Sequence, residues 1–318
     1  MADQNCSVLT LNNGRTMPSV GLGTYAPKQD EDAVIAAVKL AVRAGYRHID
    51  CAAIYRNERA VGHAIKQLIV EDVVKREDLF VTSKLWNTCH RPDIVEVNLR
   101  KSLEDLGLEY VDLYLIHWPM AYKEGGDMMP KDANGKVLYS DVDYVDTWKA
   151  LEDCVDLGLT MSIGCSNFNS KQLQRILDIA RIKPVNNQAE VNVYNSNKKL
   201  IDFCKANGIV VTASSPLGSP GNVRESYSTL LKDLVLMDIA AKYKKSPAQV
   251  ALRFLVQQGI GVLPKSVTAS RIRENFDLFD FSLSDSDKQQ LVSINKNIRV
   301  YLEDCAMDHP HYPFHEEF

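Results

Sequence analysis

Long apolar runs are absent from this chain of 318 residues. None approaches the roughly 20 consecutive apolar residues that a membrane-spanning helix needs. The opening Met1-Ala2-Asp3-Gln4-Asn5 also lacks the basic start and apolar centre of a secretory leader. A cytoplasmic protein without a membrane partner is therefore expected. Basic tracts are missing too, and the net charge of -4 offers nothing to a polyanion, which argues against nucleic-acid binding. The seven cysteines are an odd number without CxxC spacing, so neither a disulfide framework nor a zinc site is expected. Cys6 and Cys305, near the ends, are the candidates for exposed thiols. His309, His311 and His315 have no other ligand types at metal-site spacing, so no metal is expected there.

What the chain does have is alternation. Short apolar runs rich in β-branched residues are separated by amphipathic stretches closed by Gly or Asn. The runs fall at 20–24, 47–50, 79–84, 111–117, 161–166, 185–190, 210–214 and 261–265. Helical patterns lie between them at 30–44, 57–68, 91–106, 145–157, 170–179, 196–207, 234–243 with 246–258, and 270–275. Eight such βα units predict a single (β/α)8 TIM barrel, an α/β fold in one domain over residues 1–318. Ahead of it, Asn12-Asn13-Gly14 between 7–11 and 15–18 predicts a β-hairpin forming a two-stranded flap. Long turn-rich loops at 119–144 and 216–231, and a tail from Val300, are expected as lids or walls on the C-terminal face.

Four polar residues that packing does not require stand at or just past strand ends: Asp50, Tyr55, Lys84 and His117. The loops after the strands of such a barrel meet around one pocket. Taken singly, each has an ordinary structural explanation, as a salt bridge, a core histidine or a packed aromatic. Four together at strand ends point to proton transfer.

The motifs carrying these residues are similar to those of the aldo-keto reductase superfamily, nearly end to end. They are Gly21-Leu22-Gly23-Thr24-Tyr25, the run from His48 through Asp50 and Tyr55 to Glu58, Ser83-Lys84-Leu85-Trp86-Asn87, and Leu113 through His117 to Pro119. Gly164-Cys165-Ser166-Asn167-Phe168 and Leu263-Pro264-Lys265-Ser266 complete the set. The ending from Tyr312 to Phe318 resembles the aldose-reductase-like branch, and insect relatives that reduce ecdysteroid ketones are also similar. The resemblance implies an NADPH-dependent barrel reductase of carbonyls, and its catalytic tetrad falls on Asp50, Tyr55, Lys84 and His117.

The chemistry agrees. No side chain donates hydride, so carbonyl reduction requires a nicotinamide cofactor. Tyr55 is the expected general acid, with Lys84 drawing its acidity toward working pH, Asp50 keeping Lys84 charged, and neutral His117 orienting the carbonyl oxygen.

Gly21 to Ala26 formally fits the GxGxxG/A fingerprint. Pro27 and a helix cap at Asp30 delay the helix, and no acidic residue closes a second strand at the expected distance, so that reading is rejected. Gly23 and Thr24 are expected to let backbone approach the cofactor. Lys265, Ser266, Val267, Thr268 and Arg271, at the start of a short helix, form the phosphate site that favours NADPH over NADH. The resemblance adds Glu274 and Asn275 at the adenine end, Ser166, Asn167 and Gln188 at the carboxamide, and Ser215, Leu217 and Ser219 at the pyrophosphate. One departure stands out: Ser214 occupies the position where relatives place an aromatic that stacks on the nicotinamide, forgoing about 0.5–1.5 kcal/mol of aromatic contact.

The resemblance also places Tyr25, Ile54, Tyr55, Trp86, His117 and Trp118 around the substrate. Aromatic, apolar walls suit flat or apolar carbonyls, so aldehydes are the first expectation and steroid-like ketones the second. Tyr25 stands where aldose reductase has Trp, which weighs against sugars as substrates. A monomer is expected. The reading from a different class, a nucleotide-binding accessory subunit without turnover, conflicts with the complete set of four.

Overall fold

The computed structural model describes residues 7–25, 30–220 and 229–316. Two short strands come first, β1 (Val8–Thr10) and β2 (Thr16–Pro18), paired antiparallel with Leu9 opposite Met17. The chain reverses between them over five residues, and Gly14 takes φ +83° at the turn. That is a left-handed conformation that glycine adopts without steric cost. Asn12 Nδ2 donates to the Pro184 carbonyl at 2.8 Å and Asn13 Nδ2 to Ser162 Oγ at 2.9 Å. Leu11 and Met17 pack on Phe80, Leu113, Leu115 and Val185, at the bottom of the barrel. The predicted flap is therefore a plug: its apolar face seals the N-terminal mouth, opposite the expected chemistry.

Eight parallel strands follow: β3 (Gly21–Gly23), β4 (His48–Asp50), β5 (Phe80–Leu85), β6 (Leu113–Ile116), β7 (Ile163–Ser166), β8 (Asn186–Glu190), β9 (Val210–Ser214) and β10 (Gly261–Val262). Each pairs with its sequence neighbour. Parallel bridges from Val20 to Val262 and from Gly23 to Lys265 join the last strand to the first. The (β/α)8 barrel read from the sequence is thus the fold. Its crossover helices are α1 (Glu31–Arg43), α2 (Glu58–Val70), α3 (Pro92–Leu106), α4 (Tyr144–Asp156), α5 (Ser170–Ile179), α6 (Lys198–Ala206), α7 (Leu234–Tyr243), α8 (Pro247–Val256) and α9 (Ala269–Phe276).

Local chemistry sets the helix starts. Asp30 accepts from the Asp32 and Ala33 amides ahead of α1, and Ser246 with Gln249 forms a capping box on α8 with Pro247 at its first position. A tenth helix, α10 (Asp285–Ser293), was not anticipated. Its signal was present, since Ser284 caps it and Asp285 and Asp287 sit in its first turn. Cys51, Cys154, Cys165 and Cys204 are buried and Cys305 is exposed, while Cys6 lies outside the described residues. Among the described residues no helix is long and apolar enough to cross a membrane, and no group of His, Cys, Asp and Glu has the geometry to hold a metal.

Small residues keep the barrel narrow. A Cβ on Gly164 would lie 2.6 Å from the Asn186 carbonyl oxygen, and one on Gly21 2.8 Å from the His48 ring. The middle of the barrel is polar: His48 Nε2 lies 3.0 Å from Thr82 Oγ1, and Asn186 Nδ2 donates to Thr212 Oγ1 at 2.7 Å. Among the described residues His48 is one of four buried histidines, with His90, His309 and His117. Among the described residues both ring nitrogens of His90 lack a hydrogen-bond partner, and His309 Nδ1 accepts the His311 amide at 2.9 Å.

Burial holds His48 and His309 at about 4 and His90 at about 3. An unfolded histidine titrates near about 6.5. As pH falls through that value the unfolded chain takes up protons that the folded chain refuses, so stability drops between about pH 6.5 and 4. Each histidine contributes up to about 1.4 kcal/mol per pH unit. Denaturant unfolding from pH 7.5 to 4.5 should show this loss beginning above the carboxylate range, and a flat stability down to pH 5 would contradict it.

Candidate active site

Strand register brings the four polar residues together. Asp50 ends β4 opposite Gly23 and Thr82, and Lys84, two residues beyond Thr82 on β5, points to the same interior face. Lys84 is fully buried, with Nζ 2.5 Å from Asp50 Oδ1 and 2.7 Å from the Cys51 carbonyl. Gln188 Nε2 donates to the other Asp50 oxygen at 2.8 Å. The carboxylate is thus held by one cation and one amide, which the cost of burying a charge demands.

Tyr55 closes a short helical turn, Ala53–Tyr55, and Arg56 leaves that turn with φ 55°. Lys84 Nζ lies 5.1 Å from the Tyr55 ring centre. The Tyr55 ring is 5.8 Å from His117 and 5.1 Å from Tyr25, and His117 is 5.4 Å from Trp86, edge to face. All four predicted catalytic residues therefore share one pocket with Tyr25 and Trp86. Among the described residues the Tyr55 hydroxyl has no partner, and Lys84 uses two of its three N–H donors.

Burial pushes the Tyr55 hydroxyl well above its ordinary value, with the Asp50 charge adding to the shift. The Lys84 ammonium lies close to the Tyr55 ring, but burial and the Asp50 charge set the direction here, toward the protonated phenol. Burial, reinforced by Lys84, drives His117 well below its usual value. Its imidazole is neutral, and its Nδ1 is enclosed without a partner among the described residues.

Aromatic walls rise above these groups. Trp86, Trp118, Met120, Tyr122, Ala306 and Tyr312 form one cluster against which Ile54 packs. Trp86 Nε1 donates to the Met128 carbonyl at 2.6 Å and Trp118 meets the Phe314 ring at 5.8 Å, so the loop after β6 and the C-terminal tail are both built into the wall.

A second group of predicted residues borders the same mouth. Ser166 Oγ donates to the Gln188 carbonyl, and Asn167, at φ 60°, donates to the His117 carbonyl at 3.0 Å. The side-chain oxygens of Asn167 and Gln188 have no partner among the described residues and can accept from a carboxamide. Gly23 packs closely, since an added Cβ would lie 3.0 Å from the Leu263 carbonyl oxygen. Thr24 is spent internally, donating to the Asp50 carbonyl at 2.8 Å.

Ser214 ends β9 half-buried, followed by Ser215, Leu217 and Ser219, with Ser219 Oγ donating to Ser215 Oγ at 3.0 Å. The rest of that loop, 221–228, lies outside the described residues. Lys265, Val267, Thr268 and Arg271 are exposed and Ser266 half-buried around the start of α9. Neither cation has an ion pair among the described residues. Glu274 accepts from Ser246 Oγ and Asn275 is buried; both sit along α9, apart from the catalytic group. Free cations at a helix start, free amide oxygens at strand ends and a glycine backing the cleft fit a dinucleotide with an extra phosphate.

The family model of the Aldo/keto reductase family matches residues 19–296. The chain belongs to the aldo/keto reductase family. It is 47% identical to estradiol 17 beta-dehydrogenase 5 of Mus musculus, over 99% of this chain and 100% of the relative. It is 46% identical to prostaglandin-E(2) 9-reductase of Oryctolagus cuniculus, over 98% of each. The solved aldose reductase of Schistosoma japonicum superposes with a TM-score of 0.93 at 45% identity, covering 98% of this chain and 99% of that one. The protein is accordingly an oxidoreductase, and carbonyl reduction with a nicotinamide cofactor is its reaction class.

Two residues of this pocket escaped the sequence reading. Tyr301 meets Tyr25 edge to face at 6.5 Å, and Glu190 accepts the backbone amides of Val300 and Tyr301. An acidic residue closing β8 was visible in the sequence. Its partner, 110 residues away, was not.

Removing one member of the buried pair strands the other. Lys84→Met should destabilise the fold by about 3–5 kcal/mol, and Asp50→Asn with Lys84→Met together should cost clearly less than the sum of the singles. Denaturant unfolding of the two singles and the double checks this, and additive costs below about 1 kcal/mol would count against it.

Proposed function

We propose that the protein reduces aldehydes and ketones to alcohols with NADPH, Tyr55 donating the proton. The observation that carries this is the meeting of Tyr55, Lys84, Asp50 and His117 at one end of the barrel, under aromatic walls. When bound, the reduced nicotinamide supplies the hydride that adds to the carbonyl carbon. Neutral His117 hydrogen-bonds the carbonyl oxygen and fixes its direction. The Tyr55 O–H bond then breaks, and its proton passes to that oxygen as the C–O π pair collapses onto it.

Because burial keeps Tyr55 protonated, the donor form is in place at any physiological pH. The cost lies in the phenolate left behind, and the Lys84 ammonium close to the ring offsets it. Asp50 keeps that ammonium charged inside the barrel. Ser166, Asn167 and Gln188 orient the carboxamide, Ser215, Leu217 and Ser219 face the pyrophosphate, and Lys265 with Arg271 takes the 2′-phosphate. Glu274 and Asn275 border the adenine.

Small and aromatic aldehydes are the first substrates proposed. Ketones on bulkier apolar skeletons, including steroid and ecdysteroid ketones, come second; the name of the mouse relative favours the steroid part of that reading. The complete set of four speaks against an accessory subunit without turnover. The protein is proposed to act as a single-domain monomer in the cytoplasm.

Tyr55→Phe should lower kcat by about 10²–10⁴-fold while leaving NADPH binding in place. Turnover that survives this change would overturn the proton-donor role, and a wild-type protein that binds NADPH but reduces none of a panel of aldehydes, quinones and steroid ketones would favour the accessory reading. Lys265→Ala with Arg271→Ala should raise the KM for NADPH about tenfold or more and leave that for NADH nearly unchanged. Equal effects on the two cofactors would remove the 2′-phosphate assignment.

A further inference from the structure

Glu190 ends β8 with its side chain enclosed, 1% exposed, and takes no part in the reaction described above. Burial pushes its carboxyl above the usual range, opposed by the amides of Tyr301 and Val300. The Val300 N–H reaches both carboxylate oxygens, at 2.8 and 2.9 Å, and the Tyr301 N–H reaches Oε2 at 2.9 Å. A buried carboxylate that accepts from two consecutive backbone amides, with the Arg299 charge close by, fixes that backbone closely.

The same stretch is stitched to the loop after β8 by the Lys296 and Ile298 amides, both donating to the Tyr194 carbonyl. Arg299 stacks 3.8 Å over the Phe314 ring. Held this way, the Tyr301 side chain crosses the barrel mouth. Its ring meets Tyr25 at 6.5 Å with planes at 86°, and its hydroxyl lies 3.5 Å from Ser219 Oγ in the loop after β9. Tyr25 in turn lies against Tyr55.

We propose that Glu190 is a positioning residue that holds Tyr301 across the mouth, and that the Tyr301–Tyr25 pair so formed restricts the pocket to slim carbonyl substrates. The selectivity half rests on the reduction proposed above, whereas the anchor does not. A closed ring pair admits a flat aldehyde edge-on and obstructs a polycyclic ketone. Without Tyr301 the wall on that side loses the ring that backs Tyr25.

The test uses the full chain with Glu190→Gln, Tyr301→Ala and Tyr301→Phe. Backbone amide exchange read by mass spectrometry should rise about tenfold or more over residues 296–316 in Glu190→Gln, because the amide side chain loses the charge that holds two N–H groups. Unchanged exchange would overturn the anchor.

Turnover with NADPH is then compared for benzaldehyde and a tetracyclic steroid ketone. The kcat/KM ratio of ketone to aldehyde should rise about fivefold in Tyr301→Ala, mainly through the ketone KM. It should move the same way in Glu190→Gln and stay near wild type in Tyr301→Phe, which keeps the ring. A merely structural Glu190 would lower Tm and leave the ratio alone, and a ratio unmoved in both Tyr301→Ala and Glu190→Gln would overturn the selectivity role. A wild-type protein that reduces neither probe overturns the selectivity half together with the proposed reaction, and amide exchange still decides the anchor.

Discussion

The ion pair between Lys84 and Asp50 is the constraint from which the site is built. An ammonium with no solvent exposure is costly to enclose, and attraction to one carboxylate repays that cost only when the remaining donors and acceptors are satisfied as well. Here the Cys51 carbonyl accepts a second Lys84 proton, and the Gln188 amide, four strands round from Asp50, donates to the second Asp50 oxygen. Four barrel positions are thereby fixed relative to one another. Tyr55 and His117 respond to the same charges: the Asp50 carboxylate opposes ionisation of Tyr55, and the Lys84 ammonium opposes protonation of His117. The pair thus favours a neutral phenol beside a neutral imidazole, the states in which each can donate a hydrogen bond.

The two ends of the barrel divide the work. At the N-terminal mouth the hairpin packs Leu11 and Met17 against apolar residues of the strand starts. At the C-terminal mouth the polar pair is covered by segments that belong to no barrel unit, the loop containing Met128 and the tail containing Tyr312 and Phe314. A site placed on rigid strand ends but walled by loops and a tail can change its substrate without disturbing its proton chemistry.

The βα alternation was legible because eight buried strands leave an apolar period that nothing else in the chain imitates, and capping residues such as Asp30 and Ser246 mark the helix starts between them. Asp50, Lys84 and His117 were legible for a related reason: a charged or titratable group inside an apolar run has few structural uses. What stayed hidden depends on tertiary geometry. The hairpin could be seen, but not that Asn12 and Asn13 clip it to segments some 150 residues away. Tyr55 could be seen, but the sign of its shift follows from how deeply the pocket buries it. Helix α10 had a readable cap in Ser284 and was overlooked because its apolar stripe is weak, Leu291 being its one buried hydrophobic residue.

Ser214 brings these strands of argument together. In the β8–β9 register it stands opposite Glu190, so a residue too small to fill the mouth sits beside the carboxylate that holds the tail there. Tyr301 and Tyr25 supply an aromatic pair in this part of the pocket, with the Tyr301 hydroxyl 3.5 Å from Ser219 in the loop after β9. An aromatic at position 214 would be fixed to the barrel, whereas Tyr301 is fixed by hydrogen bonds from the tail to Glu190 and to the Tyr194 carbonyl. Ring contacts contribute about 0.5–1.5 kcal/mol in either arrangement, but only the second ties them to the docking of the tail. With serine at 214, the proposed control of the upper pocket falls to the C-terminal segment.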